Sequence, residues 1–147
     1  MPTVTRSFRV AAGPQTVIGY LSDFGNAEQW DPGTVTCTRD DAGPVAVGAS
    51  WHNVSKVAGV TTELTYTLRQ RTSDTIIFVG QNKGATSTDT ITVVPDGAGS
   101  KVTYRADLDM HGAAALLGPV MKLIFEKVAN DTERQLTQVL NTLPAAH

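Results

Sequence analysis

The feature that most constrains the fold of this chain is a long stretch of β-type sequence followed by one long amphipathic segment. Between Thr34 and Met110, β-branched residues alternate with polar ones, turn residues interrupt the pattern, and no helical period occurs. The strands predicted there are Val35–Arg39, Ser50–Val57, Val60–Arg71, Thr75–Asn82, Thr86–Val94 and Lys101–Met110. Their short connections favour hairpins and therefore an antiparallel meander.

The sequence on either side of this stretch completes an α+β pattern. Residues Thr3–Val10 alternate as in a half-buried strand. A helix from Pro14 that reaches Phe24, and a short helical turn over Ala27–Trp30, are predicted before the meander. The final amphipathic segment, Gly118–Thr142, forms a helix roughly 37 Å long at about 1.5 Å per residue. We therefore predict one domain over residues 1–147, in which an antiparallel sheet packs on a long C-terminal helix.

Composition and charge exclude several classes of function. The 147 residues carry a net charge of -2 with no basic cluster, so nucleic acid is not an expected partner. The one cysteine, Cys37, excludes an internal disulfide, and because no residues have zinc-ligand spacing we expect no metal and no cofactor. No apolar run approaches the ~20 residues needed to span a bilayer, and residues 1–6 lack the pattern of a secretion signal, which favours the cytoplasm. The sequence does not indicate an oligomeric state.

The geometry of two predicted turns decides which side chains share a face of the sheet. A two-residue turn at 58–59 pairs Trp51 with Tyr66, Asn53 with Leu64, and Ser55 with Thr62. A turn at Lys83 and Gly84 pairs Ile76 with Ile91, Phe78 with Asp89, and Gly80 with Ser87, and the next strand adds Tyr104, Ala106 and Leu108. This face is too polar for a dry core, because a buried polar group without a partner costs about 1–3 kcal/mol. It predicts a pocket for water or a ligand, unless a bulge turns Asp89 to solvent.

The predicted pocket wall combines side chains from the sheet and the long helix. The ligand-binding residues are Trp30, Trp51, Asn53, Leu64, Tyr66, Phe78, Ile91, Tyr104, Ala106, Leu108, Leu117, Met121, Phe125 and Val128. If the pocket is catalytic, Asp89 is the candidate general base and Tyr104 the candidate group that stabilises an enolate oxygen, with Tyr66 or Asn53 as alternatives. Arg6 has inward parity, so it either pairs with Asp89 or, the favoured position, reaches over the sheet rim.

Several segments together resemble a known superfamily. Leu21–Phe24 and Trp30–Gly33 follow the first strand, and the hairpins, a Val102–Tyr104 strand and the terminal helix come after them. This succession is similar to the SRPBCC group, which includes START-like lipid-transfer domains, plant pathogenesis-related allergens, coenzyme-Q-binding proteins and polyketide cyclase/dehydrases. The resemblance covers nearly the whole chain. It implies a helix-grip fold, in which a seven-stranded antiparallel sheet wraps around the C-terminal helix, two short helices follow strand one, and a hydrophobic cavity lies inside.

Three functions are compatible with this pattern. The first is a carrier or sensor that binds a lipid, polyketide or similar apolar molecule in the cavity. The second is a polyketide aromatase/cyclase or dehydrase that uses an inward carboxylate and a tyrosine. The third is a protein-interaction module with an incidental cavity. Members of the superfamily differ in chemistry, so the resemblance implies the pocket but not the reaction.

Overall fold

The structure, a computed structural model, describes residues 3–57, 59–111 and 118–145. The strands are β1 (Thr3–Val10), β2 (Thr34–Arg39), β3 (Ser50–Val57), β4 (Val60–Arg71), β5 (Thr75–Gln81), β6 (Ala85–Asp96) and β7 (Gly99–Met110). The helices are α1 (Pro14–Ser22), α2 (Ala27–Trp30) and α3 (Gly118–Leu140), with a 3₁₀ turn at Phe24–Asn26. The predicted helix-grip fold is confirmed.

All seven strands form one antiparallel sheet in the order β1-β7-β6-β5-β4-β3-β2. Its register is the predicted one: Trp51 lies opposite Tyr66 on β3 and β4, and Phe78 lies opposite Asp89 on β5 and β6. Register shifts occur in β2 and in β4, but none interrupts the pairing of β6. Asp89 therefore remains on the inner face, as the predicted register requires.

Several boundaries differ from the sequence-based expectation, and the clearest differences are at the end of α1 and between β6 and β7. Helix α1 ends at Ser22 and does not reach Phe24, because Asp23 is extended and its carboxylate accepts a hydrogen bond from the Gly25 N–H at 3.0 Å. Strands β6 and β7 also extend further toward each other than predicted. Only two residues separate them, and Gly97, with φ 59°, adopts the left-handed conformation that a tight turn requires.

Helix α3 is held mainly by β1 and α2. The Arg6 side chain of β1 donates a hydrogen bond from Nη2 to Glu126 at 2.7 Å and one from Nε to Asn130 at 3.0 Å. Of the two predicted positions for Arg6, the structure shows the one away from Asp89. None of the helices among the described residues is long and apolar enough to cross a membrane.

Candidate ligand-binding site

A cavity of about 230 Å³ lies between the inner face of the sheet and helix α3. Apolar side chains form one part of its lining: Leu64, Ala85, Ala106, Leu108, Met110, Ile124, Phe125 and Val128. Polar side chains form the other: Asp31, Ser55, Thr62, Tyr66, Ser87, Asp89, Tyr104 and Thr132. Pockets for drug-sized molecules hold about 300–1,000 Å³, so this cavity suits a smaller molecule.

The structure brings half of the predicted ligand-binding residues to this cavity. Those in its lining are Leu64, Tyr66, Tyr104, Ala106, Leu108, Phe125 and Val128. Those buried in the core outside the lining are Trp30, Trp51, Asn53, Phe78 and Ile91. Leu117 lies outside the described residues, as does the side chain of Met121. Asp89 and Tyr104, the residues singled out for possible catalysis, both line the cavity.

An aromatic cluster explains why several predicted residues are not in the lining. The Phe24 ring lies 4.3 Å from the Tyr66 ring and 4.6 Å from the Phe78 ring, centroid to centroid. It also makes edge contacts with Trp30 and Trp51 at 6.0 and 6.2 Å. The 3₁₀ turn thus inserts Phe24 among rings that the strand pattern assigns to the pocket. Tyr66 belongs both to this cluster and to the cavity lining, and Tyr104, also in the lining, makes an edge contact with Trp30 at 6.0 Å.

Asp89 is the most buried acidic side chain in the lining, with 4% of its surface exposed. Burial raises the pKa of its carboxyl group to about 7, and the negative charge of Asp31 adds to the increase. Polar interactions with the Tyr104 and Ser87 hydroxyls lower the pKa in part. Near neutral pH, Asp89 is therefore able both to accept and to release a proton.

Two tyrosine hydroxyls share the polar part of the cavity with Asp89. Burial raises the pKa of both Tyr66 and Tyr104 well above the usual value, and the charge of Asp89 acts in the same direction. Both side chains therefore keep their protons at physiological pH and are hydrogen-bond donors toward a polar atom in the cavity. Their rings, meanwhile, contribute apolar surface to its wall.

Asp31 is a cavity residue that the sequence-based reasoning missed. It lies in the connection between α2 and β2, where its carboxylate accepts hydrogen bonds from the Gly33 N–H at 3.1 Å and from the Thr34 hydroxyl at 2.8 Å. Burial raises the pKa of Asp31, and these two hydrogen bonds lower it in part. The available signal was the Asp-Pro-Gly sequence, since aspartate often bonds to the backbone two residues on and so fixes a turn.

Asn53 has a structural role beside this turn. Its Nδ2 donates to the Thr34 hydroxyl at 3.0 Å, and its Oδ1 accepts from the Ser55 hydroxyl at 2.5 Å. The first of these bonds links β3 to β2, and the second lies within β3, so both ends of the amide are engaged. The amide holds in place the threonine that in turn contacts Asp31, and it does so from outside the cavity lining.

The remaining candidate groups lie away from the cavity. His52 projects from the outer face of the sheet, as predicted, and contacts Glu63 at 2.8 Å, while His111 is exposed beyond the end of β7. No group of three or more histidine, cysteine or acidic side chains suited to a metal occurs among residues 3–57, 59–111 and 118–145.

A shallow groove of about 400 Å³, the α3 groove, runs beside the cavity. It is lined by Pro32, Gly33, Lys56, Leu123, Ile124, Lys127, Val128 and Asp131. Gly33, Ile124 and Val128 belong to both linings. The Leu123 side chain in this groove is 74% exposed. The α3 groove therefore adjoins the cavity on the solvent side of the helix.

Solved structures of the same fold come from several bacteria. A START superfamily protein from Mycobacterium smegmatis superimposes with a TM-score of 0.78 at 16% identity, covering 95% of this chain and 97% of that one. A protein from Thermus thermophilus gives 0.80 at 12% identity, with 96% and 98% covered. The Zhui aromatase/cyclase from Streptomyces gives 0.76 at 13% identity, with 94% and 92% covered. At these identities the likeness concerns the fold alone.

The search of curated proteins gave no match to this sequence. A family model, however, does match. Residues 1–145, nearly the whole chain, match the family described as polyketide cyclase/dehydrase and lipid transport. This match agrees with the seven-stranded sheet, the covering helix and the cavity between them. The chain therefore belongs to the polyketide cyclase/dehydrase and lipid transport family.

Proposed function

We propose that this protein binds a small, mostly apolar molecule in the cavity between the sheet and helix α3, as a carrier or sensor. The observation that supports this most directly is the two-part lining, in which aliphatic and aromatic side chains meet buried polar groups centred on Asp89. A lining of this composition is typical of ligand pockets, where apolar contacts give affinity and a few polar groups fix orientation.

The size of the cavity limits what it binds. At about 230 Å³, it is smaller than the range for drug-sized ligands. A chain of eight carbons fits this limit better than a long acyl chain. Burying its methylene groups contributes about 0.8 kcal/mol each before the costs of binding are subtracted. We therefore expect dissociation constants in the micromolar to millimolar range for simple ligands, roughly −4 to −8 kcal/mol.

The proposal is tested by asking whether the cavity itself is occupied. Native mass spectrometry of gently purified protein, followed by thermal unfolding with a library of small apolar molecules, measures retention and binding. A ligand at 100 times its Kd adds about 2.7 kcal/mol to the free energy of unfolding. Absence of both a retained molecule and any thermal shift would contradict the proposal.

Cavity-filling variants connect binding to this site. Ala106→Phe places a ring in the cavity, whereas Lys101→Phe places the same ring on the outer face of the same strand, where Lys101 is exposed. Only the Ala106 variant is expected to lose binding. Ala85→Leu, a smaller change at another lining position, serves if the larger ring prevents folding. Equal binding by the cavity-filling and outer-face variants would place the ligand elsewhere.

A second function, cyclisation or dehydration of a polyketide, is favoured by the position of Asp89. Its pKa of about 7 suits a general base, and the protonated Tyr104 hydroxyl belongs to the same cavity. The Asp89 carboxylate would take a proton from a carbon next to a carbonyl group, and the electron pair would move to the carbonyl oxygen. Tyr104 would stabilise that oxygen by donating a hydrogen bond.

The two functions are distinguished by one substitution. Asp89→Asn preserves the shape of the side chain but removes the base. The catalytic hypothesis expects loss of turnover of a small β-ketone substrate with binding retained, and it is wrong if turnover is unchanged. Asp109→Asn is a matched control, because it makes the same chemical change at an exposed position of β7.

The sequence-based expectation of a cytoplasmic location stays a prediction.

A further inference from the structure

The polar part of the cavity lining has an unusual balance of charge. Asp31 and Asp89 line it, and no lysine, arginine or histidine does so among the described residues. Neither carboxylate forms an ion pair within the part of the chain that the structure describes. The sequence of residues 112–121 contains no basic residue either. The cavity thus has acidic groups without a positive counterpart.

From this juxtaposition we infer that the cavity prefers a small apolar molecule that carries a protonated amine over molecules that carry a carboxylate or only a hydroxyl. The inference rests on the proposed function, because it names the chemical class of ligand for the same cavity. The ammonium group would lie among Asp89, Asp31 and the tyrosine hydroxyls. The hydrocarbon part would contact Leu64, Leu108 and the α3 side chains.

The first reason is the cost of two neighbouring acidic groups in a buried site. Like charges disfavour simultaneous ionisation, and burial disfavours the charged form of each carboxyl group. The negative charge of Asp31 is among the causes that raise the pKa of Asp89, so the two groups interact through the cavity region. A cation between them would favour both carboxylates in their charged form.

The second reason is the hydrogen-bonding capacity of an ammonium group. It has three N–H donors and no acceptor, and the polar lining offers carboxylate and hydroxyl oxygens as acceptors. Charge-assisted hydrogen bonds are stronger than those between neutral groups. Asp89 is only 4% exposed and has no positive partner in the described chain, so a cationic ligand supplies what the protein does not.

Anionic ligands meet the opposite situation. A carboxylate in the cavity would add a third acidic group with no cation beside it. Lys56 and Lys127 line the adjoining α3 groove and not the cavity, and Lys127 already contacts Asp131 at 2.9 Å. An anionic amphiphile would therefore have to leave its head group in the α3 groove. In that case binding of the anion would depend on Lys56 and not on Asp89.

The test compares three probes of equal chain length: octylamine, 1-octanol and octanoate. At pH 7.5 the amine is positive and the acid negative, since their pKa values resemble those of lysine and of carboxylic acids. Isothermal titration calorimetry with the full chain should give an octylamine Kd at least about tenfold lower than that of octanol, a difference of about 1.4 kcal/mol. Octanoate should bind more weakly than octanol.

Variants assign the preference to the cavity carboxylates. Asp89→Asn should weaken octylamine binding by about tenfold and change octanol binding by less than about twofold. Asp109→Asn, which alters the net charge equally at an exposed position of β7, should leave both affinities unchanged. If Asp89→Asn does not fold, the order of the three affinities in the unaltered protein still tests the preference for an amine.

Two results would overturn the inference while leaving the proposed function intact. One is equal affinity for octylamine and octanol. The other is tightest binding of octanoate with a loss on Lys56→Gln, which would place an anionic head group in the α3 groove. Failure of all three probes to bind, together with no retained small molecule, would instead contradict the proposed function itself.

Discussion

The ring of Tyr66 lies directly against Gly80 on the neighbouring strand, and a β-carbon at position 80 would be 2.6 Å from the Tyr66 Cζ atom. No real β-carbon contact is that short, so glycine is required for the tyrosine to lie where it does. The Tyr66 ring also stacks on Phe24, with 4.3 Å between the ring centroids. Gly80 therefore positions a ring that belongs both to the aromatic cluster and to the cavity wall.

Gly80→Ala should displace the Tyr66 ring, because the added carbon would overlap it and because Phe24 stacks on that ring and restricts its movement. We expect a loss of about 1–3 kcal/mol in the free energy of unfolding, as in other overpacked cores, together with weaker ligand binding. Urea unfolding and the near-ultraviolet circular dichroism of tyrosine measure these effects. Gly84→Ala is the control, because its nearest neighbour would be 3.7 Å from the added carbon. Equal effects of the two changes would contradict this role of Gly80.

Asp89 should make stability depend on pH in an identifiable direction. Its pKa is about 7 in the folded protein and about 4 in an unfolded chain. At a pH between these two pKa values, Asp89 is protonated in the folded state and ionised in the unfolded state. The free energy of unfolding therefore falls as the pH rises through this range. Asp89→Asn does not titrate and should lack that part of the fall.

The measurement is urea unfolding of both proteins at pH 4, 5.5, 7 and 8. Relative to the unaltered protein, Asp89→Asn should gain on the order of a few kcal/mol between the lowest and highest pH. Asp31, whose pKa burial also raises, contributes in the same direction in both proteins, while Tyr66 and Tyr104 stay protonated throughout. Parallel pH profiles would show that Asp89 has the same pKa in the folded and unfolded states, and would contradict the predicted increase.

Phe24 should be among the largest single contributors to stability. Its ring is 1% exposed and contacts Trp30, Trp51, Tyr66 and Phe78. Phe24→Ala removes those contacts and leaves a cavity, which costs about 3–5 kcal/mol for phenylalanine. Phe8→Ala in β1 is the comparison, because Phe8 is only partly buried and should cost less. Chemical denaturation of both variants measures the loss in free energy of unfolding. An equal loss would contradict a special contribution of the aromatic cluster to stability.

The Arg6 contacts should contribute modestly to the attachment of α3. The Arg6–Glu126 pair has 20% and 41% of the two side chains exposed, so solvent weakens it. A double-mutant cycle with Arg6→Met and Glu126→Gln should give a coupling of about 0.5–1 kcal/mol that decreases with added salt. The Arg9–Asp96 pair, with the same 2.7 Å separation but 77% and 38% exposure, should give a smaller value. The reverse order would show that burial does not govern these pairs.

Cys37 should be unreactive in the folded protein. Its side chain is buried, and burial raises the pKa of the thiol to about 12, with the charges of Glu28, Asp31 and Asp23 acting in the same direction. Because the thiolate is the reactive form, labelling with iodoacetamide at pH 8 should be at least about a thousandfold slower than in urea-unfolded protein. Comparable rates under native and unfolding conditions would contradict the burial of this thiol.

The sequence alone predicts the sheet well because two short turns determine its register. Turns at 58–59 and at Lys83 and Gly84 leave little freedom in how the adjoining strands pair, and a pairing shifted by one residue would turn apolar side chains to solvent. The inward position of Asp89 follows from that register and is observed. Tyr104 and Ala106 reach the cavity by the same alternation on β7.

The sequence does not predict how far along the sheet the cavity extends. Trp51 and Phe78 are inward, as predicted, but whether an inward residue meets empty space or another ring depends on what the 3₁₀ turn inserts there. The helical pattern extends α1 through Phe24, whereas the extended conformation of Asp23 changes the direction of the chain before that residue. Asp31 was missed because strand alternation assigns no direction to a residue in a connection.

Helix α3 is attached chiefly along one side, to β1 and α2, while the α3 groove borders it near Pro32 and Lys56. Three residues of that groove also line the cavity, so the groove and the cavity adjoin beside the helix and not across the sheet. Passage of the proposed ligand from the α3 groove into the cavity would break no pairing between strands. The rates of ligand uptake and release would then vary independently of the global unfolding rate of the protein.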